Sequence, residues 1–227
     1  MPVIIPDNLP AAGILQRENV FTIKHARAVT QDIRPLRIVI VNLMPTKEAT
    51  ETQLARVLAN SPLQVELTLL TMDSHEASHV SQQHLETFYK TLEEVESEYF
   101  DGMILTGAPV EQMPFEEVDY WKELTDIFEW AKRRVHSSIF ICWGAQAALY
   151  YYYGINKKPL DKKLFGVFPT QVMRPWSPLV RGFDEIFYAP HSRHTSIDVD
   201  ALRANDKLRV IAESPETGPH IVATDGG

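Results

Sequence analysis

The 227-residue chain contains one cysteine, Cys142, and its neighbours decide what it can do. A lone cysteine has no intramolecular disulfide partner and cannot supply a multi-thiolate metal site. It is either inert core, where free cysteines are common, or a reactive thiol. It sits inside SSIFICWGAQAALYYYYGIN, residues 137–156, which carries no Asp, Glu, Lys or Arg. The β-branched half before Cys142 suits a strand, and Ala145 to Tyr153 suits a helix with Gly154 as its C-cap. Two serines, a Gln, an Asn and two glycines argue against a membrane span. A thiol at a strand-to-helix turn is presented at the carboxyl end of a sheet, and the helix N-terminus behind it favours the thiolate. Gly144 and Ala145 supply the small residues that such a nucleophile elbow needs. Backbone N–H groups at Trp143 and at Leu43, in the LMP loop, are candidates for an oxyanion hole.

Acyl or amide transfer by such a thiol needs a base, normally His, and a group that orients it. His191, His194 and His220 lie downstream, but none has an Asp or Glu at a persuasive spacing, so the residues alone leave the base unassigned. A second motif competes. His75-Glu76-Ala77-Ser78-His79 fits the zincin pattern H-E-x-x-H, which on a helix would place two ligands on one face. Its flanks are polar, it follows a strand end, and His84 would have to be recruited as third ligand. A solvated loop or helix start is the reading preferred, with no metal site expected.

The elements that must position Cys142 follow from hydrophobic period. LRIVIVN (36–42) reads as a strand buried on both faces, and VELTLLTM (65–72), FDGMILTG (100–107) and SSIFICW (137–143) read as the strands that follow it. Between them, Glu48–Leu58 (apolar at Ala49, Leu54, Val57 and Leu58, with Thr46 as N-cap), His84–Val95 and EEVDYWKELTDIFEWAKRRV (116–135) read as helices. This alternation predicts an α/β fold, a mostly parallel sheet flanked by helices. After Gly154 come shorter strand candidates, LFGVFPTQV, EIFYAPHSR, LRVIAES and HIVAT, expected to be antiparallel or edge additions. A single domain over 1–227 is expected. Net charge is −8, from 30 acidic and 22 basic residues. With no basic block interleaved with aromatics, nucleic-acid binding is disfavoured. The N-terminal stretch has no basic leader, and a cytoplasmic protein is expected.

With Cys142 as anchor, the chain resembles the homoserine O-acyltransferases of the MetA type. The resemblance rests on PDNLPA, ENVF, IRPLRIVIVNLMPTKEATETQ, NSPLQVEL, FDGMILTGAPVE, FICWGAQAAL, YGI, GVF, RGFDEIFYAPHSRH and AES, and so runs almost end to end. It implies a class I glutamine amidotransferase-like fold, a cytoplasmic homodimer, and ping-pong transfer of an acyl group from acyl-CoA to L-homoserine through a Cys142 thioester, in methionine biosynthesis. No cofactor is implied beyond acetyl-CoA as co-substrate. Lys163 and Ser192 fall on the family's substrate-binding positions. Without the resemblance they read as a solvated lysine and a turn serine.

Glu111 falls on the position associated with donor choice, glycine with succinyl-CoA and glutamate with acetyl-CoA. A carboxylate there would repel the terminal charge of a succinyl group and leave acetyl indifferent. Homoserine O-acetyltransferase is therefore the expected activity. Homoserine O-succinyltransferase and a glutamine amidotransferase-like amidase are the alternatives, along with a non-catalytic homoserine or CoA-binding module. The chain departs from the family at its end. The family's base and its partner lie in a G-H-x-E-Y-D motif beyond HIVATDGG, and a further Arg for the homoserine carboxylate comes from the same region. The chain ends at Gly227, so the C-terminal part of the family domain is expected to be absent.

Overall fold

The computed structural model describes residues 3–6, 8–28, 34–73 and 81–224. They fall into two units, one of Met1–Val110 with Phe115–Ala145 and one of Glu111–Pro114 with Gln146–Gly227. The strands of the first unit are β1 (Val3–Ile5), β2 (Thr22–Lys24), β3 (Leu36–Val41), β4 (Val65–Leu70), β5 (Tyr89–Lys90), β6 (Phe100–Leu105) and β7 (Val135–Phe140). Its helices are α1 (Ala11–Arg17), α2 (His25–Ala28), α3 (Lys47–Leu58), α4 (Gln82–Phe88), α5 (Leu92–Val95) and α6 (Trp121–Arg134). The strands form one parallel sheet in the order β2-β1-β4-β3-β6-β7, with β5 paired to β4. Val39, Ile40, Val41, Leu70 and Leu105 are fully buried. A sheet covered on both faces demands such unbroken apolar runs, and each of these side chains contributes about 1.5–3 kcal/mol by leaving water.

Three expectations change on contact with the structure. The N-terminal segment holds two strands, β1 and β2, that the sequence pattern does not announce; each has three residues, too short for a period to show. The helix expected over His84–Val95 is instead α4, the two-residue β5 and α5, because Tyr89 turns into the sheet beside Leu69. In α3 the expected apolar face is split: Leu54 and Leu58 are half-buried against the core, Ala49 and Val57 are exposed, Val57 to 72%, and Lys47, Glu51, Thr52 and Ala55 are buried. Thr46 does occupy the N-cap position of α3, without a capping bond from its side chain.

The helix after β7 is α7 (Trp143–Tyr153), ended by Gly154 at φ 68°. The second unit then has β8 (Lys157–Val172), β9 (Ile186–Ile197), α8 (Val199–Ala204), β10 (Leu208–Ser214) and β11 (Gly218–Thr224). Its strands make their own antiparallel sheet, in the order β11-β10-β8-β9, so the antiparallel alternative is the one observed. Ile155, Leu202 and Leu208 form its buried cluster. On the long β8–β9 pair, Phe165, Val167, Ile186 and Tyr188 stay exposed. Among the described residues no helix is long and apolar enough to cross a membrane.

Candidate active site

The carboxyl ends of β3, β6 and β7 lie side by side. Thr106 N–H donates to Val41 O at 3.1 Å and Ile141 N–H to Leu105 O at 2.9 Å. Two residues beyond the last rungs of the β6–β7 ladder, Gly107 and Cys142 meet. A Cβ placed on Gly107 would stand 3.3 Å from Cys142 Cβ and 3.7 Å from its Sγ. Cys142 is exposed and holds φ 53°. For a residue with a Cβ this left-handed backbone is strained, and such strain persists where the surroundings enforce it. Gly144 supplies the enforcement. A Cβ there would come within 2.5 Å of Thr106 O and 2.4 Å of Leu105 Cδ2, so only glycine lets α7 start against the end of β6. The sharp turn expected at the thiol is therefore built, and built by packing.

Trp143, fully buried against Phe115 and Tyr120, anchors the first turn of α7. Its backbone N–H is among those that a helix start leaves without an intrahelical acceptor, as an oxyanion donor must be. Leu43 differs. Its N–H donates to Thr106 Oγ1 at 2.8 Å, so it would have to give up that bond to serve an oxyanion.

The loop between β3 and α3 is held by a buried polar cluster that sequence reasoning missed. Asn42 Nδ2 donates to Tyr89 Oη at 2.8 Å, Tyr89 donates to Glu51 Oε1 at 2.6 Å, and His84 Nε2 lies 3.0 Å from the same oxygen. Lys47 Nζ donates to Asn42 O, and the residue is 4% exposed. Burial pulls the Lys47 ammonium down to about 8, against the opposing pull of Glu51. Glu51 Oε2 has no hydrogen-bond partner among the described residues. The available signal was the Lys47, Glu51, Ala55 spacing, which puts a charged pair and a small residue on one helical face. His84, needed as third ligand in the zinc reading, is committed to this cluster. His75-Glu76-Ala77-Ser78-His79 itself lies outside the described residues.

In the second unit, Lys163 and Ser192 are both exposed on the β8–β9 pair. Lys163 Nζ stands over the Phe165 ring at 5.6 Å, and Phe165 is the register partner of Ser192. Register partners share a face, so the lysine, the aromatic ring and the serine are gathered there. Glu111 is held by residues two and three positions further along β9. Its Oε2 accepts from His194 N–H at 2.9 Å and its Oε1 lies 2.7 Å from His194 Nδ1. Thr195 Oγ1 reaches Glu111 Oε2 at 3.4 Å and Gln146 Oε1 at 3.1 Å. Partial burial of Glu111 works against its charge, but the bonds from His194 outweigh it and hold the carboxyl below its ordinary range. A carboxylate only accepts, so His194 Nδ1 carries the proton. His191 and His220, the other candidate bases, stack edge to face at 5.2 Å. Desolvation, with help from Arg193, depresses both, His191 to about 4.

Comparisons with known proteins bear on the family and the fold. The model of the homoserine O-succinyltransferase family matches residues 2–227. A curated homoserine O-acetyltransferase of Brevibacillus brevis is 54% identical over 227 residues, all of this chain and 74% of that protein. One of Acetivibrio thermocellus is 52% identical with the same coverage. Among solved structures, a GMP synthase subunit protein from Thermoplasma acidophilum aligns with TM-score 0.58 at 16% identity, over 84% of this chain and 79% of that one. A glutamine amidotransferase from Thermotoga maritima aligns at 0.53 and 10% identity, over 85% and 73%. At such identities the structural matches speak for the fold, which is that of the class I glutamine amidotransferases.

Proposed function

Because the chain belongs to the homoserine O-succinyltransferase family, we propose that it transfers the acetyl group of acetyl-CoA to the hydroxyl of L-homoserine through a thioester on Cys142. The observation that carries the reading is the elbow. An exposed thiol at φ 53°, beside Gly107 and ahead of a helix N-terminus, is the arrangement a nucleophile requires. The Cys142 thiolate attacks the thioester carbonyl carbon, the C–S bond to CoA breaks, and CoA leaves as the thiol after taking a proton. The homoserine hydroxyl then attacks the acyl-enzyme, surrendering its proton, and O-acetylhomoserine departs as the Cys142 thiol is restored. The Trp143 N–H is the candidate donor to the oxyanion formed in each half. No cofactor is needed for this chemistry beyond acetyl-CoA as co-substrate.

Lys163 and Ser192 are read as homoserine contacts by their family positions and their shared strand face. Glu111 is read as the donor-selecting group. The family description names succinyl transfer and the relatives acetyl transfer, and the charged, bonded state of Glu111 supports acetyl. A succinyl group would bring a second carboxylate toward a fixed one in a partly dehydrated setting. A cytoplasmic homodimer organised as one acyltransferase domain is part of the same reading.

The test is intact mass after separate exposure to acetyl-CoA and succinyl-CoA, with Cys142→Ala as control. Acetyl addition that exceeds succinyl addition and vanishes in Cys142→Ala is the expected result. Succinyl addition in preference would establish the alternative donor. Absence of both from the full-length protein would end the acyltransferase reading.

A further inference from the structure

Both oxygens of Glu111 are engaged, and His194 makes the two shortest contacts, one from its backbone and one from its ring. A glutamate on a loop has three rotatable side-chain bonds and would ordinarily sample several positions in water. Here the loop residues Glu111–Pro114 cluster with the second unit, and Lys157 Nζ donates to Met113 O at 2.5 Å. The backbone of the segment is thus tethered independently of the His194 ring. The ring bond therefore bears on where the carboxylate points, over and above holding the loop. The strand adds a second consideration. His194 lies two residues from Ser192 on β9, and residues two apart on a strand share a face.

We infer that His194 is a positioning residue for donor choice, its Nδ1–H and backbone N–H aiming the Glu111 carboxylate on the face of β9 that carries Ser192. The inference rests on the reading of Glu111 given above. Discrimination against a second carboxylate depends on a charge being held at one place. A glutamate released from the ring can swing away and admit the larger donor. Thr195 also contacts Glu111 Oε2 and continues the chain of bonds to Gln146, but the two shortest bonds and the donor ring come from His194.

The experiment measures rates of Cys142 thioester formation from acetyl-CoA and from succinyl-CoA in the full-length protein, expressed as a ratio. A ratio does not depend on the fraction of protein that is folded. His194→Ala and His194→Phe, the latter keeping ring volume without a donor, are expected to lower the acetyl preference about ten-fold, the effect of losing one charge-assisted hydrogen bond. His194→Asn, whose Nδ2 can stand where Nδ1 stood, is expected to restore most of it. A wild-type ratio in both Ala and Phe variants, while Glu111→Gly shifts it, would overturn the role of His194 and leave that of Glu111 intact. Loss in Asn equal to that in Ala would also overturn it, since the donor bond would then not be what matters. An unchanged ratio in Glu111→Gly would instead remove the reading beneath the inference.

Discussion

Glu111 and His194, 83 residues apart in sequence, are joined by a ring contact of 2.7 Å and a backbone hydrogen bond of 2.9 Å. The pair converts a loop glutamate into a fixed charge, and a fixed charge discriminates by repulsion more than by bulk. Glu111→Gln separates the two, because it keeps the volume and loses the charge. At about 6 Å and an effective dielectric constant of about 20, repulsion between two carboxylates amounts to roughly 2–3 kcal/mol. Glu111→Gln is therefore expected to recover most of the succinyl-CoA use that Glu111→Gly recovers, measured as relative kcat/KM for the two donors. If Gln keeps the wild-type preference and Gly does not, space and not charge sets donor choice.

Gly144 and Gly107 flank the thiol and predict opposite kinds of damage. Gly144→Ala would force a Cβ against backbone Thr106 O and the Leu105 side chain. Overpacking of this kind costs about 1–3 kcal/mol, so its thermal midpoint and its thioester formation should fall together. For Gly107→Ala the nearest atoms are Cys142 Cβ at 3.3 Å, Ile141 O at 3.6 Å and Sγ at 3.7 Å, none of them inside 3 Å. Its midpoint should stay near wild type while alkylation of Cys142 by iodoacetamide slows. Equal stability losses in the two variants would contradict this account of the elbow.

What the sequence made legible was what short-range pattern encodes. The runs Leu36–Val41, Val65–Leu70 and Phe100–Leu105 announce buried parallel strands because each is rich in large apolar residues and ends on an apolar pair or longer stretch, and the turn at Cys142 follows from a β-branched run meeting a helix former. The polar face of α3 was illegible for the opposite reason. Lys47 and Glu51 are buried because Asn42, Tyr89 and His84 arrive from three other segments, and no local period records those arrivals. The partner of His194 escaped likewise. A search for an acid near each histidine along the chain cannot find Glu111, since the fold alone brings the two together. Glu111, Lys163 and Ser192 stand out only through family resemblance, because their residue types and spacing by themselves point to ordinary surface positions.

Lys47 yields a prediction about alkaline stability. Its ammonium, near 10.5 when unfolded, falls to about 8 in the fold because burial disfavours the charge. Between those values the unfolded chain binds more protons than the folded one, so stability rises with pH from about 8 upward. Tyr89, raised by burial and by Glu51, reverses the sign above about 10, where an unfolded tyrosine ionises. From pH 8 to 9.5 the gain has an upper bound of about 2 kcal/mol. Urea midpoints of wild type should climb across that window, and those of Lys47→Met should stay flatter. Parallel profiles would mean that the lysine is not titrating as buried.

The His191–His220 pair carries the corresponding prediction in acid. Arg193 Nε–H donates to His191 Nδ1 at 3.4 Å, and Thr217 Oγ1 lies 3.4 Å from His191 Nε2. That pattern suits a neutral ring whose proton is on Nε2. Desolvation first, then the charges of Arg193 and His220, lower His191 from 6.5 to about 4, and desolvation lowers His220 in the same direction. With the folded value below the unfolded one, stability is fully present above about 6.5 and is lost as pH falls from 6.5 toward 4, where the unfolded chain takes up the proton and the folded one does not. Carboxylates such as Glu111 and Asp101, lowered by their own partners, add losses at still lower pH. The window that isolates the histidines is therefore the upper part, from about 6.5 to 5. Over it the thermal midpoint of wild type should fall, and that of His191→Phe, which keeps an aromatic ring against Phe168 and His220, should fall less. Identical declines in the two proteins would show that acid sensitivity arises elsewhere in the fold.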